Sequence, residues 1–167
     1  TYAFGFLWTA DNETNTIHKI DSKTGLSHKT FSSPATATGF ITGLTFDGLH
    51  LWLNDNEFAS DYIFNMDTNG TVLDTASIVL KNPSGLTFDG QSLWVADNNT
   101  DKLYKYDTTS FQIVDTINSP QNTPNGLAFD GQYLWVGQNA ISHAKDSLYQ
   151  IDIGHQHTSI VSEESIP

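Results

Sequence analysis

Asp11, Asp55 and Asp97 each stand three residues after a tryptophan, and each is followed by asparagine. Carboxylate oxygens are hard donors, and a ring of them on a common axis is one way to hold Ca²⁺. No EF-hand-like spacing accompanies them. The local alternative is that each Asp-Asn caps its own loop by accepting nearby backbone N–H groups. That use is preferred, so no cofactor is expected, with Ca²⁺ at these three residues as the alternative. His155 and His157 alternate and would share one strand face. Two histidines fall short of a closed zinc site, and they read as exposed strand residues. His18, His28, His50 and His143 form no motif. There is no G-x-S-x-G, phosphate loop or zinc-protease motif, and no catalytic residue is assigned. With no cysteine, thiol chemistry and disulfides are absent.

Three glycosylation sequons are present: Asn12-Glu13-Thr14, Asn69-Gly70-Thr71 and Asn98-Asn99-Thr100. Proline excludes Asn82-Pro83-Ser84. All three fall in predicted loops or turns, where a glycan can be attached in a secreted setting.

The elements that must position these residues are repeats. GLTFDG occurs at Gly43–Gly48 and Gly85–Gly90, and GLAFDG at Gly126–Gly131. Each is followed by Leu-Trp. With the earlier Leu7-Trp8, the tryptophans Trp8, Trp52, Trp94 and Trp135 recur at intervals of 44, 42 and 41 residues. A period in this range marks a repeat architecture.

The third copy is the clearest. Leu86-Thr87-Phe88 reads as a first strand, closed by the Asp89-Gly90 turn. Ser92–Ala96 is a second, Leu103–Tyr106 a third and Phe111–Ile117 a fourth. No segment carries a 3.6-residue apolar period, so no helix is predicted. Four short strands per unit is the blade of a β-propeller. The expected fold is therefore all-β: a single four-bladed β-propeller domain, each blade a four-stranded antiparallel meander. The blades would cover about residues 1–38, 39–82, 83–124 and 125–167. The four tryptophans, fixed in mid-strand, are expected to pack blade against blade rather than stack on sugar.

At these residues the chain resembles secreted propellers of the NHL/YVTN type. The matching pieces are Pro83–Gly90 with Leu93–Asp97, and Ile17–Asp21 with Thr24-Gly25. The resemblance covers nearly the whole chain. It implies a propeller fold and a wide group of functions, from sugar and lactone hydrolases, lyases and glutaminyl cyclases to binding and surface modules. The enzymes of that group are larger rings with acidic, His or Lys groups around the central opening.

Seven Lys and Arg stand against nineteen Asp and Glu, for a formal net charge of −12. That balance argues against nucleic acid and anionic membrane surfaces as partners. It favours solubility and cation association. No apolar stretch reaches membrane-spanning length. A start at Thr1, within strand-like sequence, reads as a processed or incomplete chain.

The Asp-Gly side of each unit is turn chemistry. The opposite side varies: from Trp to the Asp closing the third strand the lengths are 13, 15, 13 and 17 residues. The last holds an insertion around Ala140–Lys145, and the low-complexity run Ser32–Thr42 lengthens the first link. A ligand is expected on that variable side. At the other irregularity, Tyr2-Ala3-Phe4 stands for an inner strand but lacks the Asp-Gly turn. Either its hairpin is shorter, or the segment does something else. Thr1, Tyr2, Ala3 and Phe4 are therefore the expected subunit contact, by strand addition to another copy. The leading expectation is a non-enzymatic extracellular or cell-surface module, structural or binding, glycosylated and suited to self-assembly into a surface layer or filament. Its partners would be itself or another extracellular protein or glycan. The alternatives are a small propeller lyase or hydrolase with a cation at the axial mouth, or a fragment of a larger propeller.

Overall fold

The computed structural model describes residues 1–36, 39–57, 60–138 and 146–154, and the backbone of 159–165. Among the described residues there are sixteen strands and no helix. They form four sheets of four. The first holds β1 (Tyr2–Ala3), β2 (Phe6–Asp11), β3 (Thr16–Asp21) and β4 (Ser27–Ser32). The second holds β5 (Phe40–Phe46), β6 (Leu51–Asn56), β7 (Asp61–Met66) and β8 (Val72–Ile78). The third holds β9 (Pro83–Phe88), β10 (Ser92–Asp97), β11 (Lys102–Asp107) and β12 (Ile113–Asn118). The fourth holds β13 (Pro124–Phe129), β14 (Tyr133–Gln138), β15 (Ser147–Asp152) and β16 (Ser159–Ser165). In every sheet the strands pair antiparallel in chain order, which is the meander of a propeller blade. The expected all-β class with four blades is what the structure has.

In the third blade all six residues of the second strand β10 (SLWVAD) are buried. The outer strand β12 (IVDTIN) is almost wholly exposed. The hairpin between β9 and β10 closes at Asp89–Ser92, with Asp89 N donating to Ser92 O at 3.0 Å. Gly90 takes φ 94°, the left-handed region that its lack of a Cβ makes cheap.

Two boundaries differ from the sequence reading. Phe4 is not strand: it and Gly5 form a two-residue turn with φ 51° and 83° between β1 and β2. Two successive positive φ angles suit the twist of a tight hairpin. The inner strand of the first blade is thus a shorter hairpin, paired as Tyr2↔Leu7 and Ala3↔Phe6. Phe111 is likewise a turn residue, at φ 55°, with its N–H bonded to Asp107 O. Neither left-handed phenylalanine carries a composition signal.

The chain divides into two compact units, Thr1–Val79 and Leu80–Pro167. The first unit buries Ile17, Leu51, Leu53, Phe64 and Met66 with Trp8 and Phe31, and Phe6, Leu44 and Phe46 pack against them. The second buries Trp94, Ala96, Leu103, Leu134, Val136 and Ile151, with Leu127 alongside. In that unit β9 lies close on β13: a Cβ on Gly85 would fall 2.5 Å from Asn125 O and from Leu127 N. Ser84 Oγ seals the same contact by donating to Pro124 O at 2.8 Å.

Candidate functional site

The repeated aspartates divide into three structural classes. Those closing the third strands cap their own turns. Asp107 Oδ1 accepts Thr109 N, Ser110 N and Ser110 Oγ, and Asp21 Oδ1 accepts Lys23 N, Thr24 N and Thr24 Oγ1. These donors hold both carboxyls below the ordinary aspartate range, led by the backbone N–H of Ser110 and of Thr24 respectively.

The Asp-Gly aspartates do two jobs. Oδ1 of Asp89 accepts Gln91 N and Ser92 N, while Oδ2 accepts the indole Nε1–H of Trp94 at 2.9 Å. Asp47 holds Trp52 in the same way at 2.7 Å, and Asp130 holds Trp135 at 2.8 Å. Burial pushes Asp47 and Asp89 upward, but their hydrogen bonds together outweigh it and both end below the usual value. Asp130 is also lowered, chiefly by Tyr133 N–H. Turn chemistry was legible in these residues; the indole clamp was not. Its signal is present all the same, an Asp five residues before Trp in three copies. The position five before Trp8 is Ala3. Trp8 Nε1 accordingly is buried with no hydrogen-bond partner.

Asp11, Asp55 and Asp97 end their second strands. Asp11 Oδ1 accepts Thr14 N and Glu13 N. Those bonds, led by Thr14, and the neighbouring His18 hold its pKa low. Asp97 Oδ1 accepts Asn99 N and Thr100 N, and its Oδ2 accepts Lys81 N at 2.8 Å. Asp55 departs from this pattern. Oδ1 accepts Tyr62 N at 2.6 Å, but Oδ2 is buried without a partner. The residue matching Lys81 is Gly39, whose N–H turns to Thr36 O instead. Burial, opposed by Tyr62 N–H and reinforced by the charges of Asp61 and Glu57, raises Asp55 to about 6. Among the described residues, no three His, Asp or Glu gather in a group able to hold a metal ion.

All three sequon asparagines lie in turns. Asn69 is exposed. Asn98 is half-buried, with its N–H on Asn82 O. Asn12, though exposed, uses its side chain as a clip between the two blades of its unit: Nδ2 donates to Ile41 O and Oδ1 accepts Ile41 N. His143, His155, His157 and the Ala140–Lys145 insertion lie outside the described residues, whereas Gln138 ends β14 opposite Ser147. Trp8, Trp52 and Trp94 are buried as packing residues; Trp135 is only half-buried.

Among the described residues each unit holds an open cleft. In the first unit about 290 Å³ is bounded by Trp8, Thr9 and Ala10 of β2 and Ile41–Leu44 of β5, with Thr1. In the second unit about 360 Å³ lies on the hairpin side of the third blade, bounded by Gln91, Ser92, Lys105, Asp107, Val114 and Asp115. Its wall holds a short ion pair, Lys105 Nζ to Asp89 Oδ2 at 2.9 Å. In the first unit, Tyr2, Phe4 and Leu7 of the first blade and Phe40 of β5 expose large apolar surface. Phe4 makes an edge-to-face contact with Phe46 at 5.1 Å.

No protein-family model matches the chain. No curated protein sequence matches it either. Solved structures do. The hydrazine synthase of Kuenenia stuttgartiensis superposes with a TM-score of 0.68 at 18% identity, over 97% of this chain and 46% of that one. A glutaminyl cyclase of Myxococcus xanthus gives 0.67 at 15% identity, over 87% and 60%. A catalytically inactive virginiamycin B lyase of Staphylococcus aureus, solved with quinupristin, gives 0.59 at 25% identity, over 78% and 44%. The chain thus spans about half the length of the structures it matches, and the likeness is one of fold.

Proposed function

We propose that this chain is a non-enzymatic, extracellular propeller module of the NHL/YVTN type that associates with further copies of itself through the first blade. One observation carries the reading. The hairpin of the first blade turns at Phe4-Gly5, where the other three blades turn at Asp-Gly. Around that turn Tyr2 and Phe4 are 60% and 66% exposed. An inner hairpin that presents exposed aromatic residues is suited to strand addition from another chain. A head-to-tail contact of this kind generates rings or filaments. The recurrent aspartates are occupied by turns and indoles, which suits a scaffold better than acid-base chemistry. Glycans at Asn69 and Asn98 fit a surface role, with Asn12 the poorest acceptor because its amide is engaged on Ile41.

The test is sedimentation and electron microscopy of the protein beside a Tyr2→Thr/Phe4→Asn variant. Asn accepts the left-handed turn position, so the hairpin is retained while its apolar surface is removed. Concentration-dependent assembly of the natural chain, lost in the variant, is expected. A natural chain that stays monomeric at millimolar concentration overturns the reading.

A further inference from the structure

We infer that the first blade carries a carboxylate-binding subsite, at the place where the third blade supplies a carboxylate of its own. The third blade is the template. Trp94 on β10 stands opposite Lys105 on β11, which stands opposite Asp115 on β12. Asp89 Oδ2 joins the row, 2.9 Å from both Trp94 Nε1 and Lys105 Nζ. One carboxylate therefore satisfies an indole donor and an ammonium together, and Lys105 faces a further acid across the strand pair.

The first blade repeats the donors without the acids. Trp8 on β2 stands opposite Lys19 on β3, which stands opposite Lys29 on β4. Lys19 Nζ lies 5.1 Å from the centre of the Trp8 ring and 4.3 Å from that of Phe6. Lys29 Nζ lies over Phe31, itself stacked on Trp8. Like charges directly opposite on one sheet face are unfavourable. Here two of only seven cations in a chain of net charge −12 are so placed. Among the described residues no carboxylate comes within ion-pair distance of either. Trp8 is 2% exposed, and its Nε1–H has no partner. A buried donor left unmade is costly. The cause is covalent: the Phe4-Gly5 turn shortens the hairpin, and the Asp-Gly turn that would carry the acid is missing.

A carboxylate placed as Asp89 Oδ2 is in the third blade would meet the Trp8 indole and Lys19 together, with the Lys29 charge nearby. Charge-assisted bonds of this kind are the strong ones. Lys19 reaches over both rings on a flexible stem, so it can swing to admit the group. The ligand class is a small organic acid or an acidic side chain of another copy. The inference stands apart from self-association, since a free acid suffices.

The test is the indole Nε1–H region of a nitrogen-15 correlation spectrum. Trp8→Phe assigns the Trp8 signal. Sodium acetate is then titrated at fixed ionic strength against sodium chloride. A saturable downfield movement of the Trp8 signal alone is expected. Lys19→Met should weaken it at least tenfold, Lys29→Met less, and Lys19→Arg should keep it. A Trp8 signal that moves with protein concentration in the absence of acetate, and stops doing so in Lys19→Met, identifies the acid as another copy's side chain. As a second check, Asp89→Ala opens the same place in the third blade, and acetate should then shift the Trp94 signal. If acetate does no more than chloride at Trp8, or acts equally on Lys19→Met, the inference is overturned.

Discussion

The first and third blades share a meander, a mid-strand tryptophan and a lysine facing it, yet they differ in sign. In the third blade Trp94 and Lys105 converge on Asp89, and Asp115 stands across from the lysine. In the first, Trp8 and Lys19 converge on nothing, and Lys29 stands where the acid would be. The lesson concerns hairpin length. The Asp-Gly turn is not merely a bend; it delivers a carboxylate to the neighbouring strand, and a hairpin that bends sooner delivers none. An omission in the repeat thus changes local charge and hydrogen bonding while leaving the strand pattern intact.

The largest effect should come from testing how rigidly the regular blades are held. Gly85→Ala places a methyl against the backbone of β13 and should cost about 3 kcal/mol or more in denaturant unfolding, through overpacking that no side chain can relieve. Gly126→Ala occupies the same place in the repeat, but its Cβ meets nothing within 4 Å. It should change stability by no more than about 0.5 kcal/mol. Equal costs for the two would break the claim that the close approach is specific to β9.

Next comes the clamp itself. Asp89→Ala strands both Trp94 Nε1 and the largely buried Lys105, and should cost about 3 kcal/mol. Asp130→Ala breaks a more exposed indole bond with no lysine, and about 1 kcal/mol is expected. Thermal or urea unfolding of the pair checks the order; a reversal would show that the ion pair adds nothing.

A smaller effect, of opposite sign, belongs to Asp55. Its folded pKa, about 6, lies above the value of an unfolded aspartate, near 3.9. Its contribution to stability is therefore fully present below about pH 4 and lost as pH rises through about 6. Asp55→Asn should remove that loss and stabilise the protein by about 1–3 kcal/mol at pH 7.5. Near pH 4 it should make little difference. Asp47, Asp89 and Asp130 run the other way: their lowered values stabilise above the unfolded pKa, and that stability fades in acid. Urea midpoints against pH for the natural chain and Asp55→Asn separate the two trends. Smallest of all, site-resolved mass spectrometry of secreted protein should find glycan occupancy falling from Asn69 through Asn98 to Asn12.

Much of the fold was legible because a repeat writes each decision several times. The Gly-Leu phrase, the Asp-Gly turns and the buried Leu-Trp strand fix the blade before any contact is known. A shorter first hairpin was legible as one of two alternatives, but Phe4 and Phe111 as left-handed turn residues were not, since phenylalanine carries no signal for positive φ. The indole clamp was written in the spacing of Asp and Trp, but a carboxylate before a glycine has a sufficient local explanation, and the second oxygen went unasked. Asp55 lay beyond reach. Its lost donor depends on where Gly39 points its N–H, which the lengthened link decides.

At least fourteen of the fifteen aspartates accept a backbone N–H. Only four acidic residues are glutamates, and their longer stem does not close the same small ring. Much of the acidity of this chain therefore sits where its strands are joined. Exchanging the turn aspartates that hold no indole for asparagines, which close the same ring without charge, offers a route to a far less acidic protein of the same shape. Salt tolerance, ion uptake and migration in an electric field could then be varied while the architecture is held constant.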